Sequence, residues 1–232
     1  MYRVTFDLSS PLIAGDQISL DGLLAWCAIE DAKYQEKLGS YEEIDHIVDD
    51  LPLKKVPFVS DSGDNFFYGA TSMFTDPEAL VAVDTVYVNK RFPLERAMEF
   101  LPHYKPQINE GSGFNKGYRI PFETITVNRI YFDFDGDPEK VGELLNNWML
   151  GIGKKTSIGF GHIRKIHPIR EVAGSPLVSP EGFARRTIPV AAAAAVGIQN
   201  GLERTAMVFY RPPYSPYHPE RRAECIVPKA LY

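Results

Sequence analysis

Gly151-Ile-Gly-Lys-Lys-Thr-Ser-Ile-Gly-Phe-Gly161 is the stretch on which the reading of this chain turns. Four glycines bracket two adjacent lysines. A backbone without side chains can approach a phosphate chain closely, and the lysines bring the charge that a polyanion needs. Just upstream, Asp137 is a good N-cap and Pro138 suits the first helical position. Val141, Leu144, Leu145 and Trp148 follow at helical spacing, which predicts an amphipathic helix. Gly151 is expected to stop it in the left-handed conformation. Downstream, Phe160 to Pro168 reads as a strand carrying Arg164 and Lys165. The order is therefore helix, glycine loop, strand.

That order excludes two nucleotide-binding motifs. A Walker loop runs from strand to helix and needs a glycine where Trp148 stands. The dinucleotide fingerprint needs a third glycine where Thr156 stands. No ATP or NAD site is indicated, and no cofactor is expected. A flexible surface turn with incidental lysines is the plain alternative for the loop.

Working outward, Tyr2, Val4, Phe6 and Leu8 alternate as a half-buried strand does. Pro11 to Gly15 make a turn, and Ser19 is placed to cap the next helix. Leu20, Leu23, Leu24, Cys27 and Ala28 form that helix's apolar stripe. Tyr41 to Asp50 is an acidic stretch, either a solvated loop or a short helix. Strand signals recur at Phe66–Ala70, Thr85–Val88 and Phe122–Phe134, the last long enough for a bend or two strands. The sum is an α+β chain of β-α-β-β-α-β order with insertions, a ferredoxin-like (RRM-type) plan.

One insertion, about residues 92–119, mixes glycine, aromatic and basic residues without an apolar period. It is a disordered surface loop or a projecting thumb-like loop. As a thumb, His103, Tyr104 and Phe114 would stack on bases while Lys105, Lys116 and Arg119 met phosphates. Residues 1–170 are expected to form the ferredoxin-like domain. Residues 171–232 read as a C-terminal β-rich extension of the sheet or a small second β-subdomain. There, Gly182 to Pro189 is a basic turn, and Tyr210, Tyr214 and Tyr217 are expected to pack on the Pro212–Pro219 connector.

Composition sets the outer limits. The chain has 232 residues, 44% of them hydrophobic, enough for a sizeable core. No apolar run approaches the ~18 residues of a membrane span. Two cysteines, Cys27 and Cys225, make no disulfide framework, and a cytoplasmic protein is the simplest expectation. The net charge is −5. Its distribution is uneven: residues 1–80 hold 5 Lys/Arg against 15 Asp/Glu, and residues from 151 onward hold 12 against 5. The basic charge therefore gathers in the half with the glycine loop, as a localised anion-binding face requires. Acidic elements that happen to cluster early would give the same count, and the acidic half could also face another subunit.

The glycine loop after the second helix, with the opening run Phe6-Asp-Leu-Ser-Ser-Pro11 and then Leu20-Asp-Gly-Leu-Leu-Ala25, resembles the RAMP superfamily of CRISPR-associated proteins. Size and the single loop look most like the subunit that grips the 5′ handle of the guide RNA, in its type IV version. The resemblance covers residues 1 to about 170. It implies a non-catalytic subunit that caps the guide RNA (crRNA) handle through Gly151, Gly153, Lys154, Lys155, Thr156, Ser157, Gly159, Gly161 and Arg164. It also implies a repeated backbone subunit and a large subunit as partners, with the target nucleic acid met indirectly through the guide. The usual residue in the loop is arginine. Lysine lacks arginine's planar fork, so phosphate contact is expected ahead of base-specific contact.

The superfamily also contains metal-independent endoribonucleases, which need a general base, a general acid and a charge stabiliser. Here His162 would serve with Lys154 or Lys155, and guide-RNA processing is the alternative function; a repeated backbone subunit is another. No metal site is expected. No Cys/His cluster has zinc spacing. Asp133, Asp135 and Asp137 alternate like a calcium loop, but Leu144 stands where its glutamate belongs.

Overall fold

The structure is a computed structural model that describes residues 1–13, 17–38, 41–60, 63–76, 79, 81–90, 117–201 and 204–228. The elements run β1 (Tyr2–Leu8), α1 (Leu20–Tyr34), α2 (Tyr41–Asp49), β2 (Lys55–Ser60), β3 (Gly63–Tyr68), β4 (Phe74–Thr75), β5 (Val81–Lys90), β6 (Tyr118–Val127), β7 (Arg129–Phe134), α3 (Pro138–Trp148), β8 (Ile163–Ile166), β9 (Arg170–Glu171), β10 (Ile188–Pro189), β11 (Thr205–Phe209) and β12 (Arg222–Ile226). The chain is α+β.

The central sheet has the order β4-β7-β1-β8, with β9 also pairing on β1. Every pairing in it is antiparallel, with Val4 opposite Phe132 and Phe6 opposite Ile130. Val4, Phe6, Ile130, Phe132 and Phe134 are fully buried, as the alternation predicts, against Leu20, Leu24 and Cys27 of α1 and Val141 and Leu145 of α3. Trp148 joins the two helices by donating its indole N–H to Asp31 Oδ1 at 3.1 Å. Asp137 caps α3 as read, its side chain accepting from the backbone N–H of Glu139 and Lys140.

Several expectations change. The helix ends at Trp148 with Met149 in an extended conformation, so Gly151 does not terminate it. Ser19 occupies the N-cap of α1 but makes no capping bond; its hydroxyl meets Tyr214 at 3.0 Å instead. The acidic stretch is helical, and Phe122–Phe134 divides into β6 and β7. The strand signals at 66–70 and 85–88 lie in two-stranded ladders of their own, β2–β3 and β5–β6. The former reaches the sheet where Ala70 bridges Phe134, and Phe74 and Thr75 then pair with β7. The region read as a thumb-like insertion lies outside the described residues over 91–116; its two arms, β5 and β6, are ten residues each.

The C-terminal part forms a three-stranded sheet, β10-β12-β11, separate from the central one. It packs on the β2–β3 hairpin through Phe58, Phe67, Leu177, Ile188, Tyr210, Cys225 and Ile226. The Tyr214 hydroxyl donates to Asp21 Oδ1 at 2.9 Å, Tyr210 is buried in this second core, and Tyr217 is 90% exposed rather than packed. The thiols of Cys27 and Cys225 are both buried, which pushes each up to about 12 and leaves them inert at neutral pH.

Arg186 joins the two cores. It is 1% exposed and donates to Asp21 Oδ2 at 2.9 Å, to the Tyr68 carbonyl at 2.6 Å and to the Tyr210 carbonyl at 2.7 Å. A buried ion pair that loses one partner leaves a charge uncompensated, at a cost of roughly 3–5 kcal/mol. Asp21→Ala is therefore expected to lower the urea midpoint by an amount equivalent to ~3–5 kcal/mol, measured by chemical denaturation.

A second polar knot lies across β1. Asp7 accepts from Arg129 Nε at 2.8 Å and contacts His167 Nε2 at 2.8 Å. Burial acts to raise the Asp7 pKa, but the Arg129 and His167 bonds outweigh it and hold the carboxyl below its ordinary value. A depressed folded-state pKa stabilises above the unfolded value, near ~4, and that stabilisation disappears as pH falls through the folded value. Asp7→Asn should thus lower stability at pH 7 and flatten its decline below about pH 4, read from melts across a pH series.

Candidate nucleic-acid interface

The glycine loop is held from three sides. Ile152 is fully buried in the main core and anchors it. Its N–H donates to the Gly161 carbonyl at 2.8 Å, closing the two ends of the loop on each other. The segment that follows β1 then ties the loop down: Gly161 N–H donates to the Pro11 carbonyl and Lys154 N–H to the Ile13 carbonyl, each at 2.8 Å. The same segment holds β6, because Leu12 and Ile125 exchange both backbone bonds at 2.8–2.9 Å. Residues 11–13 therefore run as a rib between the loop and the β5–β6 arm.

This geometry says what two of the glycines do. Gly161 has φ +60°, and a Cβ there would meet the Ile152 carbonyl oxygen at 1.8 Å. Gly153 has φ +90°, and its Cβ would meet the Ile13 carbonyl oxygen at 2.6 Å. Both are needed for the loop's own backbone crossings. Gly151 also sits tight, against Thr156 and the Gly161 carbonyl, whereas Gly159 faces open space.

Between the crossings the loop turns outward. Thr156–Ile158 form one 3-10 turn, entered through Lys155 in the left-handed conformation at φ 62°. A non-glycine residue there is strained by ~1–3 kcal/mol, a strain that concentrates at functional sites. Lys154, Lys155, Thr156, Ser157 and Gly159 are all exposed. Lys155 Nζ lies 5.7 Å from the Phe122 ring centroid on β6. Neither lysine has a carboxylate partner among the described residues.

Other predicted residues fall around this point. His162 bridges Gly151 across the loop's neck; Ser9 Oγ lies 3.1 Å from its Nδ1, and Ser10 Oγ accepts its backbone N–H at 2.9 Å. Arg164 is exposed on β8. Arg119 stands on β6 with its guanidinium 4.1 Å from the Tyr87 ring centroid. Lys105 and Lys116 lie outside the described residues. Asp133, Asp135 and Asp137 are each committed to other work: Asp133 binds Arg3 and Arg185, Asp135 lies 3.5 Å from the N-terminal amine, and Asp137 caps α3. Among the described residues, no group of His, Cys, Asp or Glu could hold a metal ion. No helix among them is long and apolar enough to cross a membrane.

Sequence reasoning missed two features. The rib at 11–13 read only as a turn, and its pairing partners are distant in sequence. Beside the loop there is also a groove of about 480 Å³, whose walls include Leu23, Trp26, Met149, Leu150, Thr156 and His162. Its only sequence signal was a tryptophan lying off the apolar stripe of α1.

A family model described as CRISPR type IV associated protein Csf3 matches residues 1–217. The chain belongs to that family and is a type IV CRISPR-associated protein. No curated protein matches it.

The loop's dependence on Gly161 is directly testable. Alanine there meets a carbonyl oxygen and holds a positive φ, which costs more than ~1 kcal/mol. Gly161→Ala is expected to raise backbone hydrogen exchange at Ile152 and Lys154 while Gly159→Ala perturbs those amides far less.

Proposed function

We propose that this chain is a non-catalytic RNA-binding subunit of a type IV CRISPR effector ribonucleoprotein that caps the 5′ handle of the guide RNA. The observation that carries the reading is the pair Lys154 and Lys155, unpaired among the described residues and exposed on a loop whose backbone is pinned at Ile152, Gly153 and Gly161. Pinning matters because cations on a floppy loop lose side-chain and backbone entropy on binding, and a preformed loop loses less.

The fold supports the same reading. We read β1, α1, the run ending in β4, β7, α3 and β8 as a β-α-β-β-α-β series, and the antiparallel sheet order β4-β7-β1-β8 supports that ferredoxin-like reading. We read residues 1–170 as this RAMP domain, with the β5–β6 arms as the base of its thumb, and residues 171–232 as its β-rich extension. The implied partners are the guide RNA, the repeated backbone subunit and the large subunit, in the cytoplasm, with the target nucleic acid engaged through the guide. His162 touches Ser9 and Ser10, and in this reading it supports the loop rather than cleaving RNA.

The test is co-expression of the chain with a CRISPR repeat-spacer transcript and the neighbouring subunits, followed by sequencing of bound RNA. Guide RNA with a uniform 5′ handle is expected with the native chain, and depletion with Lys154→Ala/Lys155→Ala. Two lost phosphate contacts should also reduce the slope of log affinity against log salt by about 1.4. Equal RNA with both proteins would sink the reading. Precursor cleavage that vanishes in His162→Ala would instead establish the processing endoribonuclease.

A further inference from the structure

We propose that the groove between α1 and the glycine loop seats one unstacked nucleobase of the bound RNA, with its face against Trp26. The proposal rests on the loop contacting RNA, and it adds a base-binding pocket to what is otherwise a phosphate clamp.

Trp26 is 48% exposed although its neighbours on α1, Leu24, Ala25 and Cys27, are buried. The opposite rim is apolar and more exposed still, with Leu150 at 78%. A large indole left open on a concave wall is a stacking platform, because every base has a π-face and stacking tolerates sequence. The groove's volume, about 480 Å³, falls within the ~300–1,000 Å³ typical of small-molecule sites, enough for one nucleobase.

The polar side of the groove also suits a base. The hydroxyls of Thr156 and Ser157 have no hydrogen-bond partner among the described residues, and both line the groove together with His162. Single-stranded RNA is recognised by such a combination of aromatic stacking and hydrogen bonds to the base edge. No carboxylate among the described residues lines the groove, and Lys154 and Lys155 precede Thr156 directly in the chain. The loop that carries the lysines thus also forms one wall of the groove, through Gly151, Gly153, Thr156 and Ser157.

The test uses the full-length chain and a synthetic RNA carrying its repeat's 5′ handle, with an abasic nucleotide placed at each handle position in turn. Trp26→Ala is expected to weaken binding of the intact RNA about tenfold, within the range for base–aromatic stacking, and Trp26→Phe to retain most of the affinity. One abasic position should weaken the native chain by a similar factor and leave Trp26→Ala unaffected. Unchanged affinity in Trp26→Ala, with Lys154→Ala/Lys155→Ala still impaired, overturns the pocket while the phosphate clamp stands. A loss in Trp26→Ala that is equal on every RNA, abasic ones included, also overturns it and marks the groove as a protein contact. If neither Trp26→Ala nor the lysine double variant changes binding, both readings fall. The abasic series on the native chain is decisive without any substitution: absence of a single sensitive position overturns the pocket.

Discussion

The buried pair of Asp21 and Arg186 is the interaction on which the two halves of this protein depend. Asp21 sits in the first turn of α1 and Arg186 in the C-terminal segment, and both are buried. Arg186 takes its remaining acceptors from the carbonyls of Tyr68, Ala70, Thr187 and Tyr210, so one guanidinium closes β3, the approach to the central sheet and the end of β11 onto α1. Tyr214 completes the shell by donating to the other oxygen of Asp21. A charge this deep is tolerable only when every donor is satisfied. The geometry of the junction is therefore restricted to one arrangement, and α1 is presented in a fixed position.

That position matters for the surface on the far side. α1 carries Trp26 and Leu23 to one wall of the groove, and the rib at 11–13 carries the glycine loop to the other. The rib also holds β6, so loop, arm and groove share a single backbone support. Lys154 and Lys155 have no carboxylate partner among the described residues, while Asp45 and Asp49 of α2 meet Arg221 and Arg211 at the other core junction. The uneven charge along the chain thus becomes an uneven charge in space. Gly153 and Gly161 exist for the loop's own crossings, so in the proposed reading the exposed lysines, hydroxyls and Gly159 are what remain for RNA.

What was legible in the sequence was local. The capped start of α3 was readable from Asp137 and Pro138, and β1 and β7 from strict alternation, because each depends on neighbours a few residues away. The glycine loop was recognisable, but its reason was not, since the clash that forbids a Cβ at Gly161 comes from the far end of the loop. β4 has two residues and no pattern of its own; it exists because β7 offers an open edge. Arg186 looked like one more cation in a basic turn. Its burial depends on an aspartate 165 residues away, which no local pattern announces. Trp26 lies off the apolar stripe of α1, and nothing local in the sequence says that the glycine loop, more than 120 residues later, forms the other wall beside it.

In the proposed function the loop at 151–161 touches the handle of the guide RNA. Ultraviolet crosslinking of the assembled complex, followed by mass spectrometry of the RNA-linked peptides, tests it most directly. Handle nucleotides are expected on peptides spanning Gly151 to His162. Handle crosslinks confined to other peptides or other subunits, with this stretch unlabelled, would contradict it.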